Sequence, residues 1–137
     1  MNRWYFPLFV CISLLQGCSE SCKSISFESW GGVDRAVMQL PGEKAKRIIT
    51  DPAVIQKIRA FVEARKDRWE VPWPDTPTPM FTIDLYQGDK GINHLGISRS
   101  FIESTGCDYV VSRKITSAEL QEIFRILGLP ESALQIR

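Results

Sequence analysis

The sequence has almost no net charge, only four cysteines and a single histidine, and each scarcity excludes a class of function. Its 137 residues carry 17 basic side chains against 16 acidic ones, which gives a formal net charge of +1. A dedicated nucleic-acid-binding protein needs a clear basic excess, so we expect no DNA or RNA partner. The cysteines and His94 lack the close paired spacing of a zinc site, and we expect neither a metal nor another cofactor.

Sequence motifs of common active sites are also absent. The chain has no glycine-rich phosphate loop, no serine elbow and no zinc-protease helix. The composition is that of an ordinary globular protein, with 24% charged and 10% aromatic residues. The length of the chain favours one domain. The sequence therefore favours binding over catalysis, although it identifies no activity.

An apolar run lies at the N-terminus and is too short to span a membrane. Arg3 precedes the uncharged residues 4–15. One basic residue followed by about a dozen mostly apolar ones is typical of a secretory signal peptide, whereas a transmembrane helix needs about 20 apolar residues. The alternative, a buried N-terminal strand or helix, is disfavoured because the polar residues Gln16, Ser19 and Glu20 follow directly.

The end of this run, Leu15-Gln16-Gly17-Cys18, resembles the lipobox of bacterial lipoproteins, with Gln16 as the less usual residue. In that family the cysteine is lipidated and the leader is cut just before it. The resemblance implies that residues 1–17 are a signal peptide, that Cys18 carries the acyl chains, palmitate among them, and that residues 18–24 are a lipidated tether. Several acyl chains hold a protein stably on a membrane, so the membrane is an expected partner.

The residue after Cys18 bears on the destination. Ser19 stands where lipoproteins retained in the inner membrane typically carry aspartate. By the same resemblance, and in a cell with two membranes, we expect the outer membrane, with the protein facing the periplasm. The alternative is a secreted protein cut near Gly17 with a free Cys18.

Two cysteines remain after the leader and the anchor are set aside, since Cys11 lies in the leader. Cys22 and Cys107 could form a disulfide in an oxidising periplasm. The alternative is a pair of free thiols with Cys107 buried.

Hydrophobic patterning predicts one α+β domain over residues 25–137, with an antiparallel sheet of about five to six short strands and two helices packed on one of its faces. Asp51 and Pro52 are a good helix start, and that helix is expected to run to about Arg65. Thr116 and Glu119 form a capping box for the second helix. Strands are predicted over residues 24–28, 36–40, 80–86, 92–98 and 107–112, with residues 46–50 as a candidate sixth and residues 101–102 as a short extended stretch.

A proline-tryptophan segment over residues 69–79 is the one unusual stretch. Its four prolines exclude a helix and a central strand. One interpretation is a recognition loop in which Trp69, Trp73 and Asp75 contact a partner, because rigid aromatic side chains bind at low entropic cost. The alternative is a crossover that folds its tryptophans onto the core. The basic residues just before it, Arg65 among them, are interpreted as a solvated helix face.

His94 is the only histidine, and strand alternation places it on one face with Ile92 and Gly96, opposite Leu95 and Ile97. We interpret it as a structural or surface residue. The leading hypothesis is a lipid-anchored periplasmic module that binds a protein partner, as an accessory subunit, an inhibitor or an immunity-type protein. The alternatives are an envelope enzyme or small-ligand binder that uses His94 and possibly Cys107, and a purely structural envelope component.

Overall fold

A computed structural model describes residues 28–71, 77–105, 110–130 and 132 of the chain. A short 3-10 helix, Glu28–Gly32, precedes the first strand. The remaining elements follow in chain order, with bounds that lie within a few residues of the predicted ones. They are β1 (Arg35–Gln39), β2 (Arg47–Ile49), α1 (Pro52–Glu63), β3 (Phe81–Gln87), β4 (Lys90–Ile97), β5 (Phe101–Ser104), β6 (Val111–Lys114) and α2 (Ser117–Ile126).

The strands form one antiparallel sheet in the order β2-β1-β3-β4-β5-β6. This confirms the predicted α+β class with its six-stranded antiparallel sheet and two helices. Residues 24–27 of the predicted first strand lie outside the described part of the chain, and Glu28 begins the 3-10 helix. Both edges of β1 are occupied, by β2 on one side and β3 on the other.

Both helices begin as the sequence predicts. The Asp51 carboxylate accepts a hydrogen bond from the Ala53 amide at 2.8 Å, and Pro52 is the first helical residue of α1. At α2, Thr116 and Glu119 satisfy each other's backbone amides in a complete capping box. Each cap satisfies an amide that has no partner inside its helix, and a lost cap costs about 1 kcal/mol.

One hydrophobic core joins both helices to the same face of the sheet, which we call the inner face. Helix α1 contributes Ile58 and Phe61, and the Phe124 ring of α2 meets the Phe81 ring of β3 edge-to-face at 5.5 Å between centroids. The buried strand residues of this face alternate with more exposed ones. They are Ala36, Met38, Phe81, Ile83, Leu85, Leu95, Ile97, Ile102 and Val111.

Arg65 contradicts the predicted solvated face. Its side chain is only 12% exposed, and it donates to Glu119 Oε1 at 2.8 Å and to Glu122 Oε2 at 2.6 Å. The guanidinium also lies 3.8 Å from the centre of the Phe61 ring. Because Arg113 of β6 reaches the same Glu119 oxygen at 3.3 Å, this network ties α1, α2 and the sheet together.

Candidate functional site

The face of the sheet opposite the helices, which we call the outer face, carries the exposed functional side chains. Neither described helix packs on it, since both contribute their buried residues to the core of the inner face. An antiparallel sheet tolerates one such solvated face. By the strand pairing, its side chains include Arg35, Val37, Ile48, Thr82, Asp84, Tyr86, His94 and Glu103.

A β-bulge sets which of these residues face each other. Tyr86 pairs with Gly91 but Leu85 pairs with Asn93, so Ile92 is an extra residue in β4. Two bulge residues then oppose one residue of the partner strand. Asn93 is buried, and Ile92 packs against the core while also lining the cleft beside His94. The bulge therefore breaks the simple alternation that places Ile92 and His94 on one face, whereas Leu95 and Ile97 are buried as predicted.

The bulge places His94 directly opposite Asp84. The His94 Nδ1 atom lies 2.6 Å from Asp84 Oδ1, and the two side chains are 42% and 31% exposed. An ionised carboxylate only accepts hydrogen bonds, so Nδ1 donates to Asp84; a neutral ring then keeps Nε2 as an acceptor, and a protonated ring donates from both nitrogens. This oriented imidazole could act as a general base or bind a donor group of a partner.

No nucleophile of the described residues meets that imidazole ring. The neighbouring hydroxyl belongs to Thr105, whose Oγ1 accepts from the His94 backbone amide at 3.0 Å. The same hydroxyl lies 3.4 Å from Asn93 Oδ1, which also accepts from Ser104 Oγ at 3.0 Å. These bonds fix the strand ends beside a shallow cleft of about 250 Å³ that Asp84 and His94 line. The cleft has room for one small side chain of a partner.

Glu103 extends the polar cluster towards the neighbouring strand. Burial raises the pKa of its carboxyl, and the charge of His94 offsets part of that rise. Glu103 pairs across the sheet with Gly96, and Pro79 packs over that glycine. The last residue of the proline-tryptophan segment therefore reaches the outer face.

Replacing Gly96 with alanine is expected to lower the free energy of unfolding by about 1 to 3 kcal/mol. A Cβ at position 96 would lie 2.8 Å from Pro79 Cγ and 3.1 Å from Glu103 Oε2, so the proline has to move. Gly91→Ala on the same strand is the matched control, because its nearest contact would be Tyr86 Cε1 at 4.0 Å. Urea unfolding of both variants checks this, and equal stability losses would contradict it.

Trp69 is not on the surface as the recognition-loop interpretation requires. It is 5% exposed within the core, and its Nε1 donates to the Arg65 carbonyl at 2.7 Å. Arg68 directly before it has a φ of 62°, a left-handed conformation that is uncommon for a residue with a side chain. The core-packing alternative therefore describes Trp69, whose indole is not accessible to a partner.

The other predicted site residues lie outside the described part of the chain. These are Cys18, Cys22, Trp73, Asp75 and Cys107. Thr105, the last described residue before residues 106–109, donates its backbone amide to the His94 carbonyl at 3.2 Å.

Asp84, Arg35 and Tyr86 are outer-face residues that sequence reasoning missed. The Arg35 guanidinium lies 4.8 Å from the centre of the Tyr86 ring and also donates to the Gly88 carbonyl at 3.0 Å. Two alternating strands around the turn at residues 88–89 were the available signal, since a hairpin brings both strands' outward residues together.

Among the described residues, no three histidine, cysteine or acidic side chains are grouped so that they could hold a metal ion. The helices of that part are also too short and too polar to cross a membrane. No family model matches the chain, and neither a curated protein nor a solved structure shows significant similarity to it.

Proposed function

We propose that this chain is a lipid-anchored protein of the bacterial cell envelope that binds a protein partner through the outer face of its sheet. The observation that carries the binding part is the composition of that face. Ile48 is 63% exposed beside Val37, and the stacked pair Arg35 and Tyr86 lies on β1 and the neighbouring β3. Tyrosine and arginine are enriched in protein interfaces, and apolar groups form their centres.

The distribution of charge on the outer face indicates what the partner offers. Asp84 and Glu103 lie on the β3–β5 side, whereas the apolar pair Val37 and Ile48 lies on the β1–β2 side. We expect a partner surface with an apolar region for Ile48 and basic groups towards the two carboxylates. Opposite charges across an interface raise the association rate and reject wrong partners.

The proposed lipid anchor is inferred from the sequence of the leader. The Leu15-Gln16-Gly17-Cys18 pattern supports lipidation of Cys18, and Ser19 supports the outer membrane, facing the periplasm. An anchored protein meets its partners on the membrane surface, where a modest interface is sufficient because the local concentration is high. An accessory subunit, an inhibitor and an immunity-type protein all fit this arrangement.

Site-specific photo-crosslinking in intact envelopes tests the binding face. A photoreactive amino acid is placed at Val37 or Ile48 on the outer face, and at Gln56 or Gln121 on the exposed sides of the helices as matched controls. We expect one and the same protein adduct from both outer-face positions and at most about a tenth of its yield from the helix positions.

Two results would count against this assignment of the face. Adducts of equal yield from Gln56 or Gln121 would place the interface on the helices instead. Unrelated adducts from Val37 and Ile48 would show random collision rather than a single partner.

A second candidate function is an envelope enzyme or ligand binder that uses a thiol–imidazole pair. The Asp84–His94 hydrogen bond favours it, because it orients the imidazole ring. A thiol next to an imidazolium ionises at a lower pH. If the pair exists, His94→Gln shifts the pH profile of Cys107 alkylation by iodoacetamide upwards. An unchanged profile eliminates this candidate.

A further inference from the structure

An apolar cavity of about 500 Å³ lies between the sheet and the C-terminal end of α2. Its walls are Leu40, Met80, Phe81, Phe124 and Leu129, which belong to the core or pack against it. The volume falls within the usual range of small-molecule sites, about 300 to 1,000 Å³. The cavity therefore has the size and the lining of a binding site for an aliphatic group.

Two charges of opposite sign accompany this apolar wall. Glu43 and Arg47 both line the cavity and are exposed. Neither forms an ion pair with another described residue. A plain hydrocarbon would need no charge there, and a fatty acid could pair with Arg47 but would leave Glu43 without a counter-charge. A zwitterionic head group satisfies both, since guanidinium groups bind phosphate and carboxylates bind ammonium.

We propose that the cavity binds one acyl chain of a zwitterionic phospholipid, with its phosphate at Arg47 and its ammonium group at Glu43. The walls exclude water from the chain, and burial of aliphatic carbon provides most of the affinity. This site is separate from the outer face, because its apolar lining residues belong to the core of the inner face or pack against it.

Photolabelling with lysophosphatidylethanolamine tests the site. The probe carries a diazirine on its acyl chain, is used below its micelle-forming concentration with the full chain, and its attachment is mapped by mass spectrometry. We expect saturable labelling of residues 78–81 or 124–130 that unlabelled lipid competes away. Labelling spread over exposed surface without competition would overturn the proposal.

A variant with a larger side chain in the cavity tests the site most directly. Met80→Trp should reduce labelling at least about tenfold, because the larger ring occupies the space of the acyl chain. Leu40→Trp is a second variant in case the first one unfolds, and thermal melting reports folding of each. Gln56→Trp is the matched control, since it adds the same ring to the exposed side of α1, and its labelling should equal that of the wild type. Equal labelling of all three would contradict the site.

A separate experiment tests the proposed contacts of the lipid head group. Arg47→Gln and Glu43→Gln should each weaken binding of the lysophospholipid by about tenfold and leave binding of a long-chain alcohol unchanged. Equal effects on both probes would contradict the assignment of the charges. Labelling that appears only after residues 131–137 are deleted would show that the chain's own C-terminal residues compete for the cavity, which would also overturn the proposal.

Discussion

Replacing Trp69 with alanine is expected to lower the free energy of unfolding by about 3 to 5 kcal/mol, a large part of the total stability of a domain this size. The indole is 5% exposed in the core, and its loss leaves both a void and an unpaired Arg65 carbonyl. Trp69→Phe keeps most of the volume and should cost less, mainly the hydrogen bond of about 1 kcal/mol. Urea unfolding measures both values.

Val71 is the matched control for this prediction. It lies two residues after Trp69 in the same segment but is 61% exposed, so Val71→Ala should change the stability by less than about 0.5 kcal/mol. A loss below about 1 kcal/mol for Trp69→Ala, with binding of a partner abolished, would instead support the recognition-loop interpretation of this residue.

Glu119→Gln is expected to lower the stability at pH 7 by about 2 kcal/mol and to flatten its dependence on acid pH. Burial by itself would raise the pKa of Glu119. Hydrogen bonds from the Thr116 amide and from Arg65 outweigh that effect, and with the charge of Arg113 they lower the pKa from the usual 4.5 to about 2. The ionised carboxylate is thus stabilised in the folded state more than in the unfolded one.

The lowered pKa of Glu119 determines how the stability changes with pH. The stabilisation by Glu119 is complete above pH 4.5, the usual pKa, and is lost as the pH falls towards about 2. Glutamine keeps the capping acceptor of this position, so the variant removes the charge and retains the helix cap. We expect wild type and variant to converge in urea titrations near pH 2.

Glu63→Gln serves as the control for charge removal alone. Glu63 is 45% exposed and lies 3.7 Å from Arg59 of the same helix, a surface pair worth only a few tenths of a kcal/mol. A similar loss in Glu63→Gln and Glu119→Gln, or a Glu119→Gln difference that persists at pH 2, would contradict the account of Arg65 as the buried link between the helices.

The elements of the fold were predictable wherever a local signal determines them. The Asp51-Pro52 start, the capping box of Thr116 and Glu119, and the left-handed Gly128 with a φ of 63° each satisfy backbone groups within a few residues. Strand alternation works for the same reason, because one buried face imposes a period of two on each strand.

The outer-face site was less predictable because it depends on register. A hairpin that turns at residues 88–89 without a bulge would place Asp84 opposite Asn93. The extra residue Ile92 moves the pairing by one, and only then does His94 meet Asp84. The bulge cannot be predicted from residue type, because Ile92 is held in this position by packing against the core.

Long-range packing also determines where the side chains of Trp69 and Arg65 lie. The proline-rich stretch has no periodicity from which to assign an inward side, and its first tryptophan turns inward after the left-handed Arg68. Arg65 follows α1 among other charged residues, yet its partners are Glu119 and Glu122, more than fifty positions away along the chain. Sequence spacing contains no information on such pairs.

Incorporation of labelled palmitate into the full chain in growing bacteria tests the proposed anchor most directly. We predict that the wild type takes up label and sediments with the outer membrane, and that Cys18→Ser takes up none. Cys22→Ser is the matched control and should be labelled like the wild type, because its cysteine lies outside the Leu15–Cys18 pattern. Label that survives Cys18→Ser would contradict the assignment of this protein to the envelope through a lipid on Cys18.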